Sequence, residues 1–393
     1  MAEVRIKSTP DEELQYRSQE VKANNKTVVT PIKSIDASKI HPTVSISKQV
    51  NCVNELYSGL SKEKISNYMA GSDHSLIYRL NGIQKKFRNP TKELQFCFLE
   101  YKDKSLPTQK EIECMTDQAY VYSDITPLPM LSNFVKRITN VTVKANGSVN
   151  TPNDSKFHKV EKYLKDSIET IEQLNNKPIM GYIPNFRYYF DKLIKIYADS
   201  GISTFYFDAR LSNPITLQVP LRTFMRELNK QGILEKSFIH LINPGIGRGI
   251  KDSSFIPAKD ILGFGFGIDS LGDKHMSPVF GPTVLENMKK NPDNRSRLFS
   301  KKSYGYLKTS EKNEIEEFYP NDSGIDVSEF LTFGKPDSKI QNAFNVEQLA
   351  LESSKLCNYI RKSRSILDYI DKKPNVKKDD VKILKRAKIK QKK

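Results

Sequence analysis

The 393-residue chain has no tryptophan, only four cysteines and five histidines, and no apolar run approaching the roughly 18 residues that a membrane span needs. Cys52, Cys97, Cys114 and Cys357 stand far apart with no Cys-x-x-Cys pair, which argues against a zinc ribbon or a disulfide framework and fits reduced thiols in the cytoplasm. The N-terminus, Met1-Ala-Glu-Val-Arg-Ile-Lys, lacks an apolar h-region, so no secretion signal is expected. Metal-ligand spacing is missing too, because Asp273-Lys-His275 has no partner carboxylate or histidine at a recognisable distance along the chain. Asn243-Pro-Gly-Ile-Gly-Arg-Gly249 is neither a Walker A loop nor a dinucleotide fingerprint, and no cofactor is expected.

Acidic residues are also in short supply. Lysine and arginine total 63 against 46 aspartates and glutamates, a formal charge of +17. Residues 371–393 carry eleven of the basic side chains and three aspartates, and read as a basic, disordered tail. A basic tail on a moderately basic body draws polyanions through counterion release without specifying which, so nucleic-acid contact is expected. Homo-oligomerisation is left open.

The apolar pattern places one large domain between two polar ends. Residues 1–26 read as a flexible N-terminal extension, and Thr27-Val-Val-Thr-Pro-Ile as a first short strand. Val53, Leu56, Leu60, Ile65 and Met69 recur at helical spacing, so residues 50–88 read as helix. Strands are then expected at Leu94–Tyr101, Ala119–Asp124, Pro178–Pro184, Thr204–Asp208, Ser237–Asn243 and Ile261–Asp269, with helices between them and a loop at Val141–Ser155. Strands alternating with helices over some 200 residues imply parallel strands joined by crossovers. The expected fold is therefore α/β, a (β/α)8 TIM-type barrel over residues 27–370.

In such barrels, function gathers where strands end and the following loops begin. Those positions offer the carboxylates Asp124, Asp208, Asp269 and Asp273, which could divide acid and base roles or supply a nucleophile. Nearby stand Asn185, Arg210, Arg248 and His275, with the amides of Gly245, Gly247 and Gly249 as a candidate anion nest. His240, inside a strand, reads as a barrel-lining residue.

The order of these segments resembles the tRNA-guanine transglycosylase family, whose members exchange a guanine in tRNA for a deazaguanine base. Val29-Thr-Pro31 is similar to the family's opening Thr-Pro strand, and Ser123-Asp124-Ile-Thr-Pro stands where the family has Asp-Ser-Gly-Gly-Phe. Met180-Gly181-Tyr-Ile-Pro-Asn185 matches the position of Gly-Ile-Val-Gln-Gly-Gly, and Thr204–Leu211 that of Gly-Tyr-Ala-Ile-Gly-Gly-Leu. Pro244-Gly-Ile-Gly-Arg248 resembles a Gly-Val-Gly turn, and Gly267-Ile268-Asp269-Ser-Leu-Gly-Asp273 the nucleophile segment Gly-Ile-Asp-Met-Phe-Asp-Cys. The resemblance covers about residues 27–370. It implies Asp124 as acid/base toward the guanine ring and Asp269 or Asp273 as the nucleophile linked to ribose. The departures are the base-reading Gln, the paired glycines and the zinc-binding cysteines and histidine, all absent from this chain.

The expectation is a divergent transglycosylase-like barrel that acts on or binds tRNA or another structured RNA, with retention of the pentosyltransferase reaction left open. The alternatives are an unrelated barrel enzyme for a small phosphorylated metabolite and a catalytically silent RNA-binding protein.

Overall fold

The computed structural model describes residues 4–135, 139–144, 147–174, 177–185, 188–249, 253–278, 280–290, 293–331, 338–363 and 365–389. Three antiparallel strands come first, β1 (Arg5–Pro10), β2 (Arg17–Ala23) and β3 (Lys26–Thr30). Strands β4 (Ile32–Asp36), β5 (Cys52–Leu60), β6 (Gln95–Tyr101) and β7 (Thr126–Pro127) begin a parallel sheet, interrupted by the hairpin β8 (Thr139–Lys144) and β9 (Gly147–Pro152). The sheet resumes with β10 (Ile179–Ile183), β11 (Thr204–Asp208) and β12 (Phe238–Ile242). After β13 (Phe255–Pro257), the two-residue β14 (Ser270–Leu271) pairs with both β12 and β4. Strands β15 (Ser296–Ser300) and β16 (Gly305–Thr309) join β13 in a separate antiparallel sheet.

All eight strands of the large sheet run parallel, in the order β6-β5-β4-β14-β12-β11-β10-β7. Its two ends meet just beyond β7, where Tyr101 N donates to Met130 O and Met130 N to Leu99 O, each at 2.8 Å. The result is a nearly closed TIM-type barrel with helices outside. Side chains fill its interior: Phe98 stacks on His240 with centroids 5.2 Å apart, and Tyr182 on Tyr206 at 5.3 Å. It is a packed core rather than a pore.

Several expected elements differ, each for a local reason. Cys52–Leu60 is strand β5, not helix; almost every residue in it is buried, so its apolar spacing reports burial on both faces rather than one helical stripe. Residues Ala119–Val121 end a helix, Gln109–Val121, instead of opening a strand. That helix starts at a capping box, in which Thr108 Oγ1 accepts from Glu111 N while the Glu111 carboxylate accepts from Thr108 N. The glycine-spaced Ile261–Phe266 segment is a buried 3-10 helix, and Gly267, at φ +87°, turns it into β14. Part of the expected loop Val141–Ser155 belongs to the β8–β9 hairpin.

Both polar ends are folded, contrary to the flexible extension and disordered tail read from their composition. In the tail, helix Lys378–Ala387 buries Val381, Leu384 and Ala387, and Asp380 pairs with Lys259 at 2.9 Å. Residues 390–393 lie outside the described residues. At the other end, the β2–β3 hairpin forms the floor of the barrel. Arg17 makes a bidentate pair with Asp269, Nε to Oδ1 at 2.8 Å and Nη2 to Oδ2 at 2.5 Å, and also donates to Leu234 O and Ser237 O. At its turn, Asn24 Nδ2 reaches Asp124 Oδ1 at 2.6 Å and Lys26 Nζ reaches Asp124 Oδ2 at 2.8 Å. One hairpin thus spans from the start of β12 and β14 to the start of β7.

Because Arg17 and Asp269 are both buried, removing one strands the other. Arg17→Ala is expected to lower unfolding free energy by about 3–5 kcal/mol, while an apolar pair, Arg17→Met with Asp269→Leu, should recover most of that loss. Urea denaturation of both variants checks it, and an Arg17→Ala protein as stable as wild type would contradict the floor's dependence on this pair.

Candidate active site at the C-terminal mouth of the barrel

Side chains alternate along a strand, so the inward row of each barrel strand can be followed from floor to mouth. Ser34 leads to Asp36 on β4, Glu55 to Tyr57 on β5, Phe96 and Phe98 to Glu100 on β6, and Tyr206 to Asp208 on β11. Apolar layers below therefore give way to a polar layer at the C-terminal ends.

Glu55 lies deepest and is fully buried. Its carboxylate accepts from Ser34 Oγ, from the Asp273 amide at 3.0 Å and from His275 Nε2 at 2.8 Å, and His240 Nε2 lies 2.8 Å from Oε1. Burial pushes its pKa up, but His240 and then His275 overcome that and hold Glu55 well below the usual carboxylate range. This convergence explains Gly272. A Cβ there would stand 2.5 Å from Leu241 O and 2.8 Å from both Glu55 Oε1 and His240 Nε2, so only glycine lets the chain pass.

Above Glu55, the His275 ring stacks on Tyr57 with centroids 4.4 Å apart, and the Tyr57 hydroxyl donates to Glu100. Lys39 sits 3.4 Å from both Asp36 and Asp273. Burial raises and Lys39, Lys33 and His275 lower the pKa of Asp273; the cations win, and its carboxyl stays below the usual range.

Asn243 joins this cluster to Asp208. Its Nδ2 donates to Asp208 Oδ1 at 3.0 Å, while its Oδ1 accepts from His275 N at 2.7 Å and from Met276 N at 3.2 Å. Its own amide donates to Asp273 O at 3.0 Å. Asn243 (φ +56°), Arg210 (φ +48°) and Leu211 (φ +63°) all occupy the left-handed region, a concentration of backbone strain at adjacent strand ends. Asp208 is fully buried and its Oδ2 accepts no hydrogen bond from the described residues. Burial pushes its pKa up, against the opposing pull of Asn243 and the Arg210 amide.

The structure divides the candidate residues between two ends of the barrel. Asp208, Arg210, Asp273 and His275 gather at the mouth, and Asn185 follows β10 at the same end. Asp124 and Asp269 do not; both precede their strands and serve as floor anchors, so the expected convergence of four carboxylates is corrected to two and two. Asp124 also accepts from Gln95 N at 2.9 Å, and Asp269 from Ile239 N at 2.8 Å. The anion nest is corrected as well, because the Gly245 amide is used by Ser212 O (3.0 Å) and the Gly247 amide by Pro257 O (2.9 Å). Arg248, in that loop, is exposed. With Lys39, Lys102, Arg210 and Lys274 it places cations on loops after five different barrel strands.

Asp36, Lys39, Glu55 and Tyr57 were not singled out from the sequence, the last two because residues 50–88 read as helix. An acidic residue inside the apolar run Cys52–Leu60 was the available signal. Among the described residues, no group of three or more His, Cys, Asp or Glu side chains is placed to hold a metal ion, and no helix is long and apolar enough to cross a membrane. No protein-family model and no curated protein matches the chain.

The depressed Glu55 pKa fixes the sign of a pH effect. Its stabilisation is present above the unfolded value of about 4.3 and is lost as pH falls through the lower folded value. Glu55→Gln should cost about 3–5 kcal/mol at neutral pH and flatten the decline in stability below pH about 4. Chemical denaturation from pH 7 to pH 2 measures both, and parallel acid limbs would contradict the role given to Glu55.

Proposed function

We propose that this chain is a divergent barrel protein of the tRNA-guanine transglycosylase type, which receives structured RNA over the C-terminal mouth and presents Asp208 and Asp273 to one nucleotide. The carrying observation is a pair of carboxylates, Asp208 held by the Asn243 side chain and Asp273 on the loop whose main chain Asn243 also holds, with surroundings that push their pKa values apart, Asp208 up and Asp273 down. Such a split suggests roles: Asp208, its pKa raised by burial, is suited to exchange a proton, and Asp273, kept ionised, to attack as a nucleophile. The cations on five mouth loops, of which Lys102, Arg248 and Lys274 are exposed and Lys39 and Arg210 half-buried, and the +17 charge favour a phosphate backbone as the wider ligand.

Within this reading, Asp124 and Asp269 hold the floor rather than contact RNA, and the acid/base role passes to Asp208. The small-metabolite alternative loses its proposed phosphate nest, because the Gly245 and Gly247 amides are already bonded.

Bulk tRNA titrated at 50 and 200 mM salt tests the polyanion part. Five phosphate contacts predict a loss of affinity on the order of 500-fold between the two conditions; no binding at the lower salt would remove the proposal. The chemistry is tested by trapping a covalent tRNA adduct. An adduct is expected with wild type and not with Asp273→Asn, while Asp208→Asn should slow its formation by roughly 100-fold or more. An adduct that persists in Asp273→Asn overturns the nucleophile assignment, and RNA binding without any adduct favours the catalytically silent alternative.

A further inference from the structure

Behind the β14 loop, a cavity of about 200 Å³ lies between the barrel, the β13–β16–β15 sheet and helix Ser338–Lys362. Its wall includes Lys33, Asp260, Asp273, Lys274, Arg297 and Tyr306. Two of these carry a buried carboxylate oxygen that accepts no hydrogen bond from the described residues. Asp260 is 5% exposed; its Oδ2 takes the Tyr306 hydroxyl at 2.5 Å, and its Oδ1 accepts no hydrogen bond from the described residues. Asp273 is 8% exposed, and its Oδ2 likewise accepts no hydrogen bond from the described residues, its ion pair with Lys39 being long at 3.4 Å. A buried carboxylate oxygen left without a donor costs free energy that a cationic N–H group would recover.

The same cavity offers positive charge. Lys33 is buried and donates to Ser34 O at 2.8 Å and Gly272 O at 3.0 Å, which leaves one of its three N–H bonds for a ligand. Lys274 is exposed, and the Arg297 side chain is about half exposed (46%), with its nearest carboxylate, Asp293, at 3.4 Å. Anions and cations face one small space, so neither a simple anion nor a simple cation matches the whole lining.

We propose that this cavity binds a small zwitterion of amino-acid dimensions, its ammonium directed to Asp260 and Asp273 and its anionic group to Lys33, Lys274 and Arg297. The proposal shares Asp273 and Lys274 with the RNA reading, whereas Asp260, Tyr306 and Arg297 lie outside the mouth cluster, so variants at Asp260 and Arg297 test it separately.

The test is calorimetric titration of the full chain with each L-α-amino acid singly, followed by the N-acetyl and α-amide forms of any that bind. At least one amino acid should bind at millimolar concentration or below. Its N-acetyl form, which has lost the cation, and its amide, which has lost the anion, should each bind at least tenfold more weakly. Asp260→Asn should weaken binding tenfold or more, with circular dichroism reporting its folding. Arg297→Gln changes a half-exposed side chain and should reduce the discrimination against the amide. Absence of binding by every amino acid, equal binding of the N-acetyl form, or unchanged binding by folded Asp260→Asn would overturn the proposal. If Asp260→Asn does not fold, the N-acetyl comparison and Arg297→Gln still decide it.

Discussion

The mouth of this barrel is organised around one buried charge. Glu55 is ionised in the interior, where an uncompensated carboxylate costs several kcal/mol, and its compensation is drawn from three other strands. Ser34 comes from β4, His240 from β12, and the Asp273 amide and His275 from the loop after β14. These demands explain why β14 is only two residues long and is followed at once by a glycine. The chain must bend over the barrel axis to deliver an amide and an imidazole to the same carboxylate. In doing so it places the Asp273 side chain at the rim.

The two ends of the barrel use the same residue type in opposite ways. On the floor, Asp124 and Asp269 are saturated: Asp124 takes bonds from Asn24, Lys26 and Gln95, and Asp269 from Arg17 twice and from Ile239. At the mouth, Asp208 and Asp273 each keep one oxygen without a hydrogen bond from the described residues. Saturation suits a latch, which must hold one geometry. An open acceptor suits a group that meets something else, and it is tolerable only where the surrounding network is stiff enough to hold it.

The barrel was legible because alternating short strands and helices leave few other architectures, and the ends of β6, β10, β11 and β12 were placed from apolar runs bounded by polar residues. Legibility failed where burial hid the period. Strand β5 is buried on both faces and its apolar residues mimic helical spacing, so Glu55 and Tyr57 went unrecognised as inward-facing residues. It failed again at Asp124 and Asp269, since a carboxylate before a strand and one after it differ only by the strand's direction and bounds. Ala119–Val121 ends a helix and Ile261–Phe266 is 3-10, which moves both aspartates from the mouth to the floor. Composition was misleading at the termini too: a lysine-rich helix still presents Val381, Leu384 and Ala387 on one buried face.

Asn243 is what allows the two mouth carboxylates to differ. As an amide it is both donor and acceptor, so it binds Asp208 through Nδ2 and the β14 loop through Oδ1 while carrying no charge of its own. A cation in that place would pull both carboxylates down together, and an anion would push both up. The neutral bridge keeps them in one hydrogen-bonded unit yet leaves each to its own surroundings: burial for Asp208, Lys39 and its neighbours for Asp273. Its left-handed backbone conformation, which asparagine tolerates better than most residues, is then the local strain that sets the amide between them.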